Sequence, residues 1–342
     1  MNILLNGVGR VGKSIVRIAN SFENINIVAI NELNSNIDNI AYNINYDSTY
    51  GRFEDKYIVQ NNSIKNSKNH IEILNYSNFT RIDFEKYNID VVIDASGSKV
   101  DINQLKQLPI KKIFLTHPNK NADINVILGV NEKELQNKSH KIISTSSCNA
   151  TALLPVLKII DEHFLIEYGD VSTIHPLLNH QKTLDSGCIG SSDRDVACNF
   201  EFGRSATQNI IPSKTTTIDA CSYILPHISE ENNSSSSFRV PTATVGAINV
   251  VLKLEKDITK EQLLEILQQY QATQTSKILL NNFEPLVSSD FAQQEYTSIL
   301  DHRFTQVKKN KMVKLVLWYD NEWGYASKVV DIIKSLSCDT AI

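Results

Sequence analysis

The first 147 residues alternate short apolar runs with segments in which apolar residues recur at helical spacing. The run at residues 3–5 predicts a first strand, and residues 10–20 predict a helix. Further strands are predicted at residues 25–30, 90–94, 112–115, 126–129 and 141–144. Strand, helix and strand at this spacing predict a parallel sheet with right-handed crossovers.

The pattern changes after residue 147. A long helix is predicted from Cys148 to about Phe164. Alternating segments then predict strands at residues 169–175, 245–255 and 311–319, with helices at 259–269 and 323–336. This alternation is typical of an antiparallel or mixed sheet with one face covered. Residues 183–204 predict a long loop and residues 229–237 a serine-rich surface loop.

These patterns predict two domains in an α/β chain. The first covers residues 1–147 together with a C-terminal helix at 321–342, and the second, of α+β type, covers residues 148–320. A chain of 342 residues is long enough for two cores.

Composition narrows the function classes. The apolar content of 42 %, the charged content of 21 % and the net charge of −4 are ordinary for a globular protein and predict no nucleic-acid surface. The sequence shows neither a signal peptide nor an apolar run of membrane-spanning length. Its five cysteines have no metal-ligand spacing, so we expect no metal and a reducing cytoplasm.

A glycine motif follows the first predicted strand. Gly7, Gly9 and Gly12 match the G-x-G-x-x-G pattern between a strand and a helix, and Glu32 ends the next strand. Such glycines give a tight turn, let a pyrophosphate approach the backbone and let the helix lie close to the strand. A carboxylate at the position of Glu32 accepts hydrogen bonds from ribose hydroxyls and repels a 2′-phosphate. The motif therefore predicts a Rossmann domain that prefers NAD to NADP; the alternative is a purely structural turn.

Cys148 stands at the start of the long helix, after a Ser/Thr-rich turn. The positive end of a helix dipole favours the thiolate, which is a strong nucleophile. A thiolate that attacks an aldehyde also needs a base, and His175, at the end of an apolar strand, is the best-placed histidine. The alternatives are a buried apolar cysteine and a histidine that serves only in packing.

With these residues in place, the chain resembles the phosphorylating glyceraldehyde-3-phosphate dehydrogenases and the related erythrose-4-phosphate dehydrogenases over essentially its whole length. The motifs that carry the resemblance are NGVGRVG (6–12), VAINE (28–32), YDSTYGRF (46–53), SC (147–148), TIH (173–175), QKTLD (181–185), QNIIPS (208–213), FRVPT (238–242), PLVSSDF (285–291) and WYDNEWGY (318–325).

The resemblance implies a covalent mechanism in which Cys148 attacks the aldehyde and His175 takes the thiol proton. It implies that Asn321 holds the nicotinamide amide of NAD. The cofactor-binding residues it implies are Gly7, Gly9, Arg10, Val11, Gly12, Glu32 and Asn321. The phosphate-binding residues it implies are Thr183, Asp185 and Arg239 for the substrate phosphate, and Ser147, Arg204 and Thr215 around the attacking phosphate. Guanidinium groups suit such oxygens because they bind them in bidentate fashion.

Three departures distinguish this chain from the family pattern. Asn149 stands where a threonine is usual, the loop between Asp185 and Arg204 is longer, and Thr216 replaces a common glycine. They lead us to expect a weakened requirement for inorganic phosphate.

We expect an NAD-dependent oxidation of glyceraldehyde 3-phosphate to 1,3-bisphosphoglycerate, a step of glycolysis, by a cytoplasmic homotetramer without membrane or nucleic-acid partners. Residues 31–33 and 116–118 look more like the erythrose-4-phosphate branch, which gives 4-phosphoerythronate for pyridoxal phosphate biosynthesis. A non-catalytic NAD-binding descendant is the third reading.

Overall fold

The computed structural model describes residues 1–33, 36–98, 100–187 and 200–338. The chain divides into two compact units. The first comprises residues 1–151 and the C-terminal segment from Glu322, and the second comprises Ala152–Asn321. One helix, Cys148–Phe164, begins in the first unit and ends in the second.

The strands are β1 Asn2–Asn6, β2 Asn26–Asn31, β3 Tyr46–Asp47, β4 Gly51–Arg52, β5 Ile58–Gln60, β6 Ser63–Lys65, β7 His70–Leu74, β8 Val91–Asp94, β9 Lys112–Leu115, β10 Ile124–Asn125, β11 Ile142–Ser144, β12 Ile166–His175, β13 Ile211–Ser213, β14 Asn233–Arg239, β15 Gly246–Leu254, β16 Leu279–Asn282, β17 Ser298–Asp301, β18 Gln306–Lys308 and β19 Met312–Tyr319. The α-helices are α1 Arg10–Ala19, α2 Ile37–Asn45, α3 Ile102–Gln107, α4 Cys148–Phe164, α5 Thr217–Ser222, α6 Lys260–Thr273 and α7 Trp323–Cys338. Short 3-10 turns lie at Phe79–Arg81, Glu132–Gln136, Phe200–Gly203 and Ser288–Phe291.

The first unit contains a nine-stranded sheet in the order β10-β11-β9-β8-β1-β2-β7-β6-β5. The strands from β10 to β7 in this order run parallel, whereas β6 and β5 pair antiparallel at one edge. Ile3, Leu4 and Leu5 of β1 are fully buried, as expected for a continuous apolar run in a strand covered on both faces. The predicted α/β class is confirmed.

One strand boundary of this sheet was predicted wrongly. Residues 126–129 form no strand, and the short strand β10 lies just before them. The chain turns because the Ile127 N–H donates to Asn131 Oδ1 at 3.0 Å and Gly129 adopts a φ of +82°. An asparagine side chain that captures a backbone N–H in this way withdraws it from the sheet ladder.

The second unit contains a mixed sheet in the order β13-β14-β12-β15-β19-β17-β16, and β18 also pairs with β19. Strand β12 runs parallel to β14 and antiparallel to β15. Inward positions alternate along β15 and β19 with partly exposed ones, so one face is buried. The predicted mixed sheet is therefore present.

The predicted surface loop at residues 229–237 is wrong in its second half. Strand β14 starts at Asn233 and lies inside the sheet, between β12 and β13. Its serines give no apolar alternation, yet their backbone groups pair on both sides, and the small Ser237 side chain is buried. Residues 188–199 of the long loop predicted at 183–204 lie outside the described residues.

Within the described ranges, no helix is long and apolar enough to cross a membrane. The same ranges contain no group of three or more histidine, cysteine, aspartate or glutamate side chains suited to hold a metal ion.

Candidate active site

Three glycines shape the turn between β1 and α1. Gly7 adopts a φ of +90°, and a Cβ atom on it would lie 2.6 Å from Ser96 Cα. A Cβ on Gly12 would lie 2.2 Å from the carbonyl oxygen of Gly7. Gly9, the N-cap residue of α1, has no such neighbour within 4 Å. Close packing therefore requires Gly7 and Gly12, whereas Gly9 leaves the helix N-terminus open to an anion.

A cavity of about 600 Å³ opens at the carboxyl ends of β1, β2 and β8. Its lining includes Asn6, Gly7, Gly9, Asn31, Glu32 and Ser96. The Glu32 carboxylate accepts hydrogen bonds from the N–H of Val8 at 2.9 Å and of Leu33 at 3.0 Å, so it lies beside the glycine turn. An open helix N-terminus and a carboxylate on one cavity are the partners of a pyrophosphate and a ribose diol. The residues present therefore fit NAD.

A buried polar row underlies this cavity, and sequence reasoning did not find it. Asn31 Nδ2 donates to Asn6 Oδ1 at 2.8 Å, and Asn6 Nδ2 donates to Asp94 Oδ1 at 2.9 Å. These three residues end β2, β1 and β8, neighbouring strands of the sheet. Polar residues at the ends of three predicted parallel strands were the available signal, because such ends meet at one edge.

Arg10, predicted as a cofactor residue, has its side chain in a charge cluster. Its guanidinium contacts Asp47 at 2.5 Å and Glu322 at 2.6 Å, and Lys13 also contacts Asp47. Burial opposes the charges, yet these partners hold the pKa of Arg10 above and that of Asp47 below their usual values. The residues that line the cavity beside the glycine turn include neither Arg10 nor Val11.

Cys148 is the first residue of α4 and is partly exposed. Ser147 caps the helix, since its Oγ accepts from the Ala150 N–H at 3.3 Å and its carbonyl from the Thr151 N–H at 2.8 Å. Ser146 adopts a φ of +61°, an uncommon conformation for a residue with a Cβ atom. A strained residue thus precedes the nucleophile, as is common where a side chain must be presented at a turn.

Tyr325, from α7, holds this strained turn. Its hydroxyl lies 2.7 Å from Thr145 Oγ1 and donates to the Ser146 carbonyl at 3.2 Å. Burial, opposed by the Thr145 hydrogen bond and assisted by the nearby Cys148, raises the pKa of the Tyr325 phenol. Tyr325 was not among the predicted site residues, because hydrophobic periodicity does not report a hydroxyl that bonds to a distant turn.

Amide and hydroxyl side chains flank the thiol along the chain. Cys148 Sγ lies 3.6 Å from Asn149 Oδ1, with the thiol as donor. Among the described residues, the buried hydroxyls of Ser146 and Thr151 have no hydrogen-bond partner. Thr151 follows Cys148 by three positions on α4, so both side chains lie on the same face of the helix. Thr151 was not among the predicted site residues.

His175 ends β12 in the second unit and is buried. Its Nδ1 lies 2.9 Å from the carbonyl oxygen of Pro176, which assigns the proton to Nδ1 and leaves Nε2 as an acceptor. Burial and the positive charge of Arg239, opposed by the Pro176 carbonyl, lower the pKa of His175 to about 4. The ring is therefore neutral at physiological pH, as a general base must be.

Arg239 ends β14 directly beside His175 in the parallel register. The structure thus brings together two of the predicted residues. Thr183, Asp185 and Arg204 form a second group, in which Arg204 Nε donates to Asp185 at 3.0 Å. The link to Thr183 passes through Ser205, whose N–H donates to Asp185 and whose hydroxyl donates to the Thr183 carbonyl.

Thr215 lies elsewhere in the second unit. Its hydroxyl is 2.6 Å from that of Thr217, and it lines a polar cavity of about 750 Å³ with Lys214 and Asn233. Within the described part of the chain, no hydrogen bond joins it to Arg204, with which the resemblance pairs it.

Asn321, the predicted nicotinamide ligand, is buried next to the start of β15. Its Oδ1 accepts from the Val245 N–H at 3.2 Å. Val245 adopts a φ of +66°, a strained value for a β-branched residue. The hydrogen bond therefore fixes the amide orientation of Asn321 and holds a strained turn.

Comparison with known proteins identifies the family of this chain. The family described as glyceraldehyde 3-phosphate dehydrogenase, NAD binding domain, matches residues 1–102, and the corresponding C-terminal domain matches residues 147–321. Glyceraldehyde-3-phosphate dehydrogenase 2 of Bacillus subtilis (strain 168) is 32 % identical over 98 % of this chain and 97 % of its own. The enzyme of the same name from Staphylococcus aureus (strain MRSA252) is 32 % identical over 98 % and 95 %, and glyceraldehyde-3-phosphate dehydrogenase of Priestia megaterium is 30 % identical over 98 % of both chains. The chain therefore belongs to the glyceraldehyde-3-phosphate dehydrogenase family and is an NAD-dependent dehydrogenase.

Proposed function

We propose that this enzyme oxidises glyceraldehyde 3-phosphate to 1,3-bisphosphoglycerate through a thioester on Cys148. The observation that carries the proposal is the presentation of Cys148 at the start of α4, behind a strained serine that Tyr325 holds in place. A thiol at a helix N-terminus is favoured as thiolate, and the cavity that fits NAD belongs to the same unit.

Cys148 carries out the bond-forming step and His175 the proton transfer. Cys148 Sγ forms the bond to the aldehyde carbon, and Nε2 of the neutral His175 takes the proton. When bound, NAD supplies the acceptor for the hydride that leaves the substrate carbon. Asn321 orients the nicotinamide, and Glu32 orients the adenosine ribose.

Release of the acyl group completes the cycle. Inorganic phosphate attacks the thioester carbonyl, the carbon–sulfur bond breaks, and Cys148 leaves as thiolate. Arg239, Thr183 and Asp185 serve the substrate phosphate, and Ser147, Arg204 and Thr215 serve the attacking phosphate. Asn149 replaces a hydroxyl at this point with an amide, and one altered neutral hydrogen bond changes affinity by about 2- to 13-fold. We therefore expect a weakened phosphate requirement with measurable hydrolysis when phosphate is left out.

Steady-state NADH absorbance tests the proposal. Glyceraldehyde 3-phosphate and erythrose 4-phosphate are compared with and without inorganic phosphate, and the product is identified as acyl phosphate or free acid. Cys148→Ser should abolish NADH formation while NAD still binds, with the buried Cys221→Ser as matched control. An active Cys148→Ser enzyme contradicts the mechanism.

Erythrose 4-phosphate is the second candidate substrate. Residues 31–33 and 116–118, which resemble that branch, motivate it. A higher kcat/KM with erythrose 4-phosphate would select this reading. A chain that binds NAD but yields no NADH from either sugar would be the non-catalytic descendant.

We further propose a cytoplasmic homotetramer. Ile174 and Phe238 are register partners on β12 and β14, and both are exposed apolar residues, as is Tyr168 on the same strand as Ile174. Neighbouring apolar side chains of this kind are typical of covered interfaces. Light scattering after size-exclusion chromatography should give four times the chain mass of 38.5 kDa, and a monomer would contradict the assembly.

A further inference from the structure

The first unit has another cavity, of about 630 Å³, at the amino ends of strands β8 and β9. Its lining includes Val91 and Lys112, which are register partners at the starts of these two strands. The cavity that fits NAD lies at the opposite, carboxyl ends of the strands, and no described residue lines both cavities. The proposed mechanism therefore leaves this amino-end cavity without a role.

The apolar part of the amino-end cavity is aliphatic. It is formed by Val91 and Leu135, which are 2 % and 6 % exposed, and by Leu336 of α7. The described lining includes no aromatic ring on which a nucleobase could stack, and no arginine that could bind a phosphate in bidentate fashion. A cavity of this size and lining suits a small ligand with a hydrocarbon body.

The charged part of the same lining is mainly positive. It comprises Lys111, Lys112 and Lys138 against the single carboxylate of Asp90. That carboxylate is already engaged, since it contacts the Lys111 ammonium at 3.3 Å and accepts from the Asn2 N–H at 3.0 Å. The excess of positive charge is local, because the chain as a whole carries a net charge of −4. An anion is thus the ligand that the charges favour.

Lys112 is the lysine best placed to receive this anion. Its partly buried ammonium donates to the carbonyl oxygens of Lys138, at 3.2 Å, and of His140. An ammonium has three N–H donors, so one remains for a ligand. Burial, opposed by the more distant Asp123, lowers the pKa of Lys112, and Asp123 itself pairs with Lys106 at 3.2 Å. A bound anion would offset this burial of positive charge.

We propose that the amino-end cavity binds a small aliphatic carboxylate. Its hydrocarbon chain would cover Val91, Leu135 and Leu336, and its carboxylate would accept hydrogen bonds from Lys112 and Lys138. Both contributions are favourable, because the chain leaves water and the hydrogen bonds are charge-assisted. The site is separate from the cofactor cavity, and the proposal does not depend on the reaction proposed above.

Isothermal titration calorimetry of the full-length enzyme tests the proposal with hexanoate, octanoate and decanoate as probes. NAD is present at saturation, so that the cofactor cavity is filled. Binding should be saturable, with the affinity rising roughly two- to fourfold for each added methylene, because each one buries apolar surface. Decylammonium, which has the same chain length and the opposite charge, should bind at least roughly tenfold more weakly than decanoate.

Three variants locate the site. Lys112→Met should weaken decanoate binding by roughly tenfold or more, the usual contribution of a hydrogen bond between charged groups. This variant also loses two hydrogen bonds to carbonyls, so its melting temperature is measured alongside. Lys138→Glu reverses the charge of an exposed residue without that loss and should weaken binding by roughly fivefold. Lys65→Met is the matched control, an exposed lysine of the same unit outside the lining.

Three results would overturn the inference: no saturable decanoate binding in the presence of NAD, equal affinity for decanoate and decylammonium, or affinities of Lys112→Met and Lys138→Glu equal to that of Lys65→Met. Failure of the proposed function would look different, because the wild-type enzyme would then bind decanoate but give no NADH with glyceraldehyde 3-phosphate.

Discussion

Replacing Tyr325 by phenylalanine removes the hydroxyl that holds the turn before Cys148. The lost hydroxyl lies 2.7 Å from Thr145 Oγ1 and donates to the Ser146 carbonyl at 3.2 Å, in a fully buried setting. Each such hydrogen bond contributes about 0.5 to 1.5 kcal/mol, and the Ser146 carbonyl loses this donor, so the free energy of unfolding should fall by about 1 to 3 kcal/mol. Thr145 keeps its hydrogen bond to the Leu115 carbonyl, which limits the loss.

The strained φ of Ser146 adds a local effect. Without the phenol, the turn before Cys148 can relax, and the rate of Cys148 alkylation by iodoacetamide should change while the other thiols react as before. Urea unfolding followed by circular dichroism measures the stability, and peptide mass spectrometry measures the alkylation. Tyr57→Phe is the control, because its buried hydroxyl bonds to Asn20 instead, and it should lower stability without altering Cys148. Unchanged stability and unchanged alkylation in Tyr325→Phe would refute the support assigned to this residue.

Four further substitutions address the cofactor turn, the ribose carboxylate and the base. Gly12→Ala should lower both the melting temperature and the affinity for NAD, because the new Cβ would clash with the Gly7 carbonyl. Gly9→Ala should lower the affinity for NAD alone. Equal melting temperatures for the two variants would contradict this difference. Glu32→Gln should narrow the preference of kcat/KM for NAD over NADP by removing the repulsion of the 2′-phosphate, and an unchanged ratio would argue against that role. The pKa of His175 is lowered from 6.5 to about 4, so between these values the unfolded chain binds more protons than the folded chain. The free energy of unfolding therefore decreases as the pH falls through this range, by about 3 kcal/mol in total for this group. His175→Asn should remove that part of the acid destabilisation, as measured by urea unfolding at pH 7 and pH 5.

In the sheet of the first unit, the strands that are buried on both faces were the ones the sequence predicted well. Residues 3–5 form an uninterrupted apolar run, and such a run has few alternatives next to a glycine turn. Strand β14 escaped detection because its pairing uses backbone groups, which every residue carries, while its serines match the composition of a loop. Turn boundaries such as that at Asn131 depend on one side chain capturing one N–H, and hydrophobic periodicity does not report this.

The candidate site shows the same division. The position of Cys148 at a helix start and that of His175 at a strand end were predicted from the sequence and are confirmed. Their catalytic roles remain proposals. The role of Tyr325 was not predictable, since its hydrogen bond to the Ser146 carbonyl joins segments distant in sequence.

The discontinuity of the first unit has a consequence for biosynthesis. Helix α7 belongs to this unit, and Glu322, at its start, forms the ion pair with Arg10 near the other end of the chain. During translation the amino-terminal segment therefore emerges before helix α7, and Arg10, which pairs with Asp47, lacks Glu322 until that residue has been synthesised. The second unit is continuous from Ala152 to Asn321, so all of its residues are synthesised before α7. Because domains fold as units during synthesis, we expect the second unit to fold before the first, whose packing is complete only once α7 has been made.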